Sequence, residues 1–330
     1  MFDRSQLESR TYDTMTALPH KSPHARIDTD SRKQRWVLRL WDRLWEDYRD
    51  KVPQVHIYET LMNSHHVAFT NDHIAFRTLA CQQPCTGRDS ITRLLDAIGY
   101  EPAGCYSFVD KHLTAIHYQH PHNAFPKIFV SELKTWELPD AAQRAITATL
   151  NSHRAALRDE LLVELFRLED SDETVHQRLL DEVSEWFLRR PWQPPQRTDL
   201  ESVDQVSQYA AWVLVHGYRV NHFTALINSQ HAPKLDNIEK TAALLREAGI
   251  AMKPEIEGEP GSRLRQTATN AAVVDVDVCN GDSDESIPWT YAYLELAERR
   301  EYVDAQTGER SRFEGFLGPQ ATQLFEMTRR

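Results

Sequence analysis

Two stretches decide how this chain folds: NDHIAFRTL at residues 71–79 and YRVNHFTALI at residues 218–227. Each is rich in the β-branched and aromatic residues typical of strands, and each carries one histidine directly after Asp or Asn. In the first stretch, strand alternation places His73 and Arg77 on the same face. We therefore predict two β-strands, one presenting His73 and the other presenting His222.

The sequence after each of these strands is also similar. A helical stretch follows in both halves, reading LLDAIGYEP and LLREAGIAMKP, with Gly99 and Gly249 at the ends of the two helices. Further strands are predicted at about 105–109, 113–118 and 127–133 in the first half, and at about 272–278 and 290–297 in the second. A histidine strand, a helix and more strands, present twice, indicate an internal duplication that places the two histidines at equivalent positions.

Changes in composition divide the chain into four parts. Residues 1–32 are polar and lack periodicity, which predicts a mobile arm. Residues 33–133 hold N-terminal helices and the first repeat, and residues 191–330 hold the second repeat with the C-terminal segment. Between them, residues 134–190 are charged and Leu-rich, which predicts a helical insertion that the Pro-rich run RRPWQPPQ closes.

Charge and hydropathy exclude several classes of protein. The 330 residues carry 49 Asp and Glu against 38 Lys and Arg, a net charge of −11, which argues against nucleic acid as a partner. No apolar run is long enough for a membrane span, and the N-terminus lacks a secretory signal, so we expect a cytoplasmic protein. The cysteines form no CxxC pair and are expected to be reduced; they are Cys81, Cys85, Cys105 and Cys279.

A metal site is predicted from the two histidines and one carboxylate. Two imidazoles and a carboxylate hold Fe(II) and leave adjacent positions for a chelating substrate and O2. Glu295, in WTYAYLELAER, alternates with Tyr293 and would need a cation if its face were buried. On the opposite phase Glu295 would be solvated, and periodicity alone leaves both readings open. Histidines in more polar stretches are expected to be solvated, namely His65, His66, His117, His120 and His122.

Three further residues are candidates near this site. Arg77 is suited to hold a substrate carboxylate bidentately, although an ion pair with Asp72 or with another carboxylate is an alternative. Gln266, in RLRQTAT, would orient substrate or form hydrogen bonds in the core. Glu132 is the nearest counterpart of Glu295 in the first repeat. We place it outside the iron sphere, because a fourth protein ligand would crowd the site.

The motifs NDHIAFRT, HGYRVNHFTALIN, RLRQTAT, YLELAER and FEGFLGPQATQLFE together resemble the 2-oxoadipate dioxygenase/decarboxylase family, from about Val55 to the C-terminus. This family belongs to the vicinal oxygen chelate superfamily, and YLELAER is also similar to the glutamate-bearing segment of 4-hydroxyphenylpyruvate dioxygenases, relatives of hydroxymandelate synthase. The resemblance implies an α+β fold in which paired βαβββ modules form a partly closed mixed sheet or barrel around a metal. It also implies iron ligation by His73, His222 and Glu295, and substrate binding by Arg77.

The function implied by the resemblance is Fe(II)-dependent conversion of 2-oxoadipate and O2 to 2-hydroxyglutarate and CO2, a step of lysine breakdown. The cofactor would be Fe(II) and the partners a small 2-oxo acid and O2. Two alternatives stay open. One is another metalloenzyme of the superfamily, either a ring-cleaving dioxygenase or a Zn/Ni lyase-isomerase. The other is a metal-holding binding protein without turnover.

Overall fold

The computed structural model describes residues 22–81, 85–154, 157–303, 308–317 and 328. Its helices are α1 (Arg32–Lys51), α2 (Pro53–Ser64), α3 (Asp89–Ile98), α4 (Asp140–Leu150), α5 (Asp159–Phe166), α6 (Glu173–Leu188), α7 (Arg197–Val206), α8 (Gln208–His216) and α9 (Ile238–Glu247). Its strands are β1 (Asn71–Ala80), β2 (Glu101–Phe108), β3 (Leu113–Gln119), β4 (Lys127–Lys134), β5 (Val220–Leu226), β6 (Leu264–Ala268), β7 (Val273–Asn280), β8 (Ser283–Thr290), β9 (Glu295–Arg299), β10 (Glu301–Val303) and β11 (Arg310–Arg312).

A seven-stranded mixed sheet forms the centre of the protein, in the order β2-β3-β4-β1-β5-β9-β6. Strand β1 runs parallel to β4, and β5 runs parallel to β9. The two predicted histidine strands are neighbours in the middle of the sheet, where β1 pairs antiparallel with β5. The predicted α+β class is confirmed, and the two halves of the sheet repeat the same parallel pairing.

The second repeat departs from the first on its outer side. Where a counterpart of β2 would lie, the described part of the chain has isolated bridges that join Met252 to Thr269 and Glu257 to Gln266. Strands β7 and β8 lie between β6 and β9 in the sequence and form a separate two-stranded sheet. The strand predicted at 290–297 is wrong in extent, because β8 ends at Thr290 and β9 begins at Glu295.

Helix α1 covers the face of the sheet opposite to the histidines. Its apolar residues recur at three- and four-residue spacing and are buried as a single stripe. Trp45 stands edge-on to Phe223 of β5, with ring centroids 5.0 Å apart. Since neighbouring residues of a strand face opposite sides, this packing leaves His222 on the other face.

The helical region is longer than the sequence predicts. Helices α7 and α8 follow the Pro-rich run and extend the region to His216, beyond the boundary predicted at residue 190. Every residue from Tyr209 to His216 is buried, so α8 lacks the amphipathic pattern that identifies a surface helix. No helix within the described residues combines the length and apolar character that a membrane crossing requires.

One residue near the start of the described chain, His24, packs against the strand that carries His73. His24 is 1% exposed, and its imidazole lies 3.1 Å from the Asn71 amide at the start of β1. Residues 1–21 of the arm predicted for residues 1–32 lie outside the described residues, so the arm stays a prediction.

Candidate metal centre and pocket

Side chains from three neighbouring strands meet at one point. His73 of β1, His222 of β5 and Glu295 of β9 place their ligand atoms within 4.8 Å of one another. Nε2 of His73 lies 3.3 Å from Oε1 of Glu295, and Nε2 of His222 lies 3.6 Å from Oε2. All three residues are buried. The structure thus brings together the three residues predicted from sequence.

Strand register explains how the glutamate reaches the histidines. Glu295 pairs with Thr224 on the parallel strand β5, two positions beyond His222. All five residues of β9 are buried, so both of its faces are covered. Glu295 is therefore buried in the site rather than solvated. Because neither face of β9 is exposed, the alternation of residues in the sequence could not show which way Glu295 points.

The residue before each histidine fixes the orientation of its ring. Nδ1 of His73 lies 2.8 Å from Oδ2 of Asp72, and Nδ1 of His222 lies 3.1 Å from Oδ1 of Asn221. An acceptor at Nδ1 favours the hydrogen on that nitrogen, which makes Nε2, beside Glu295, the nitrogen available to a metal. Both imidazoles are thus oriented as metal ligands.

The donor set fits a divalent metal. Glu295 is 0% exposed, and its Oε2 has no hydrogen-bond partner among the described residues. A buried carboxylate oxygen in this condition is costly unless a cation compensates it. Burial also lowers the pKa of His222 to about 3, which keeps this imidazole neutral and able to donate its lone pair. Two imidazole nitrogens and a carboxylate oxygen are the set that non-haem Fe(II) favours.

A pocket of roughly 450 Å³, including its opening to solvent, lies beside this group. Seven of its 14 lining residues are aliphatic or aromatic and the other seven are polar or charged, a combination that can both enclose and orient a small molecule. Besides the three candidate ligands, the lining residues are Ala75, Phe76, Arg77, Phe108, Phe129, Ser131, Asn221, Gln266, Tyr293, Phe316 and Leu317.

Arg77 supplies a buried positive charge to the pocket. It is 2% exposed, and its guanidinium lies 5.0 Å from the ring centroid of Tyr209 and 5.3 Å from that of Trp212. Nη1 donates to the Thr328 hydroxyl at 2.8 Å. Asp72, considered above as a partner of Arg77, is bound by another arginine, Arg299.

Gln266 contacts the metal group directly. Its Nε2 donates to Oε1 of Glu295 at 2.6 Å, while its own Oε1 is buried and has no partner among the described residues. The amide thus holds one oxygen of the glutamate in place. Thr224 adds a second contact, since its hydroxyl lies 3.3 Å from the same Glu295 oxygen and 3.1 Å from Nε2 of His73.

Glu132 lies outside the metal group. Its carboxylate accepts the backbone N–H of Arg88 at 2.7 Å. The strand register also corrects its predicted equivalence to Glu295. Phe129 pairs with Ala75, two positions beyond His73, as Glu295 pairs with Thr224 beyond His222. The first repeat therefore has an apolar pocket residue where the second has its ligand.

The positions of some residues in and around the site were not predicted from the sequence. His117 was expected to be solvated, yet it is 3% exposed and lies 2.9 Å from the Tyr106 hydroxyl. Its strand largely alternates buried and partly buried residues. The polar residues around His117 in the sequence hide this alternation. Arg299 carried no local signal, because its partner Asp72 is distant in sequence. Asp72 and Asn221 did carry one, as both directly precede a histidine.

Comparison with known proteins agrees with this geometry. The family model described as 2-oxoadipate dioxygenase/decarboxylase matches residues 40–323. The chain is 26% identical over 281 residues to a chloroplastic 2-oxoadipate dioxygenase/decarboxylase of Arabidopsis thaliana, covering 78% of this chain and 67% of the relative. A chloroplastic/amyloplastic relative from Oryza sativa subsp. japonica is also 26% identical, over 276 residues that cover 78% of this chain and 68% of the relative.

Solved structures share the fold. A glyoxalase superfamily protein from Ralstonia eutropha superimposes with a TM-score of 0.76 at 21% identity, covering 87% of each chain. A hydroxyglutarate synthase from Oryza sativa, solved in complex with 2-oxoadipate, gives a TM-score of 0.70 at 23% identity, covering 90% of this chain and 93% of that one. The fold is therefore that of the glyoxalase, or vicinal oxygen chelate, superfamily. With the family model matching most of its length, this chain belongs to the 2-oxoadipate dioxygenase/decarboxylase family.

Proposed function

We propose that this protein is an Fe(II)-dependent dioxygenase that converts 2-oxoadipate and O2 to 2-hydroxyglutarate and CO2. The observation that carries the proposal is the buried group of His73, His222 and Glu295 beside a pocket that also holds Arg77. Membership of the family supports the same activity. A cytoplasmic location and a role in lysine breakdown are part of the proposal.

The metal would be held by Nε2 of His73, Nε2 of His222 and the carboxylate of Glu295. When bound, Fe(II) supplies a site for a chelating 2-oxo acid and the electrons with which O2 is activated. The protein's own contribution is to fix these three donors. Asp72 and Asn221 orient the imidazoles, and Gln266 orients the carboxylate.

Arg77 is proposed to bind the distal carboxylate of the substrate. 2-Oxoadipate carries an anionic group at each end, and the pocket offers a cation at one place and a metal group at another. A buried guanidinium binds a carboxylate more strongly than an exposed one, because little water competes. A 2-oxo acid that lacks a second carboxylate would have no anionic group to place against Arg77.

Tyr293 links these two ends of the pocket. Its ring stacks on His222, with centroids 4.8 Å apart, and its hydroxyl forms a hydrogen bond with Arg77. Burial raises the pKa of Tyr293, so the hydroxyl stays protonated. The apolar walls, including Phe129 and Phe316, exclude water and thereby strengthen the interactions of the bound acid.

Replacing Gln266 with methionine tests whether this amide positions the ligand or the substrate. The change keeps the side-chain volume and removes the donor to Glu295. We expect the metal dissociation constant to rise by about 10-fold, with the KM for 2-oxoadipate at saturating metal nearly unchanged. Gln230→Met is the matched control, since Gln230 is buried but contacts Tyr58 and Thr241. A raised KM with unchanged metal affinity would instead assign Gln266 to substrate orientation.

The activity itself is tested by oxygen consumption. Protein freed of metal without air is reloaded with Fe(II) or Zn(II), mixed with 2-oxoadipate and placed in an oxygen electrode. We expect equal amounts of O2 consumed and 2-hydroxyglutarate formed with Fe(II), and neither with Zn(II). Turnover with Zn(II) would indicate a lyase-isomerase. Bound iron without O2 consumption would indicate a binding protein and would refute the proposal.

A further inference from the structure

Arg299, at the end of β9, is connected to a proposed metal ligand. The residue is 1% exposed. Its Nε and Nη2 donate to the two oxygens of Asp72 at 2.7 and 2.9 Å. Oδ2 of Asp72 also accepts from Nδ1 of His73 at 2.8 Å. A continuous chain of hydrogen bonds thus runs from Arg299 through Asp72 to the imidazole of His73.

The same guanidinium also holds part of the pocket wall. Nη1 of Arg299 donates to the carbonyl oxygen of Phe313 at 3.2 Å and to that of Gly315 at 2.6 Å. The guanidinium carbon lies 5.0 Å from the centroid of the Phe316 ring. We call residues 313–317 the C-terminal wall, because Phe316 and Leu317 line the pocket.

Other contacts bring the C-terminal wall to the same place. The ring of Phe316 stands edge-on to His73, with centroids 4.8 Å apart. Glu314 forms an ion pair with Lys127, whose Nζ lies 3.8 Å from Oδ1 of Asp72. Arg299 and Lys127 thus each contact both the C-terminal wall and Asp72, and Asp72 in turn binds His73.

Arginine is suited to this double contact. Its planar guanidinium binds a carboxylate through two nitrogens while the third nitrogen remains directed elsewhere, which a lysine ammonium does not reproduce. Because both contacts lie on one rigid plane, a shift of the C-terminal wall moves the group that holds Asp72. The orientation of His73 changes with it, since Asp72 fixes its Nδ1.

We propose that Arg299 is a positioning residue that couples metal binding at His73 to the seating of the C-terminal wall. The inference rests on the metal site of the proposed function. Energetic coupling between two sites is reciprocal. Metal binding should therefore hold the wall more firmly, and loosening the wall should weaken metal binding.

The wild-type protein provides the first test, without substrate or O2. Amide hydrogen exchange of residues 313–317 is compared in the metal-free protein and after loading with Co(II) as a redox-stable probe. We expect slower exchange of these amides in the Co(II) form. Exchange that is the same with and without bound Co(II) would overturn the proposal. Absence of Co(II) binding would refute the metal site itself, which is a distinct result from failure with 2-oxoadipate.

Arg299→Lys is the second test, with Arg265→Lys as a matched control. Arg265 is also a buried arginine, and it pairs with Glu239 and Glu298 rather than with the metal group. We expect Arg299→Lys to raise the Co(II) dissociation constant by about 10-fold or more and to abolish the Co(II)-dependent protection of residues 313–317. The control should do neither. Arg299→Lys protein with wild-type affinity and protection would contradict the proposal, and the wild-type exchange decides the question if this variant does not fold.

Discussion

Replacing Glu295 with glutamine is expected to reduce turnover of 2-oxoadipate by more than about 100-fold, the upper range for loss of an outer-shell partner of a metal. Glutamine keeps the shape of the side chain and removes its charge. Oε2 of Glu295 lies 3.6 Å from His222 and has no other partner among the described residues. The two imidazoles alone would then hold the metal weakly, because the anionic donor is missing.

Thermal unfolding with and without metal measures this effect separately from catalysis. A metal at 100 times its dissociation constant stabilises the folded protein by about 2.7 kcal/mol. We expect this gain in the wild-type protein and its loss in Glu295→Gln. Glu298→Gln is the matched control, since Glu298 lies on the same strand but pairs with Arg265. Wild-type metal affinity in Glu295→Gln would show that the carboxylate is not a ligand.

Replacing Arg77 with methionine is expected to raise the KM for 2-oxoadipate by about 100-fold, because loss of one partner from a buried charge pair costs about 2–5 kcal/mol. The comparison substrate is 2-oxohexanoate, which has the same chain length and no distal carboxylate. Its KM should change little, since the wild-type guanidinium offers it no ion pair. The variant would therefore lose the preference for the dicarboxylic acid.

Metal affinity serves as the control for Arg77→Met. Arg77 is not one of the three candidate ligands, so the metal dissociation constant should stay within a few-fold of the wild-type value. An equal loss of activity toward both acids would mean that Arg77 supports the structure through its contacts with Tyr209 and Trp212. The proposed role in binding the tail carboxylate would then be wrong.

The two histidines of the site could be predicted from the sequence for a physical reason. His73 and His222 lie on strands with clear β character, each follows an acceptor residue, and duplication of the module gives them equivalent positions. The central pairing of β1 with β5 then brings them together. Arg77 followed from the same alternation, because it shares the inward face of β1 with His73.

Glu295 could not be chosen on pattern alone. Strand β9 is covered on both faces and carries charged residues on both, Glu295 and Arg299 on one and Glu298 on the other, so alternation does not mark an exposed face. Helix α8 was not predicted for a similar reason, since it is buried from Tyr209 to His216 and has no exposed face. The proposed equivalence of Glu132 failed because register depends on pairing between strands, which local sequence does not encode, and the pairing selects Phe129.

The pairing of Arg299 with Asp72 is a further case. The two residues are 227 positions apart, so no local pattern connects them. From the sequence, an ion pair of Arg77 with Asp72 or with another carboxylate stayed open as an alternative to substrate binding. In the folded protein, strand β9 brings Arg299 to Asp72, and Arg77 lies instead among Tyr209, Trp212 and Thr328.

The fate of labelled oxygen tests the central claim most directly. The Fe(II) protein is mixed with 2-oxoadipate under ¹⁸O₂, and the product is examined by mass spectrometry. Oxidative decarboxylation at the site of His73, His222 and Glu295 predicts 2-hydroxyglutarate with one labelled atom in its hydroxyl and one in the adjacent carboxylate, and no product from Glu295→Gln. Unlabelled product, or labelled product in equal yield from Glu295→Gln, would contradict the assignment of this site.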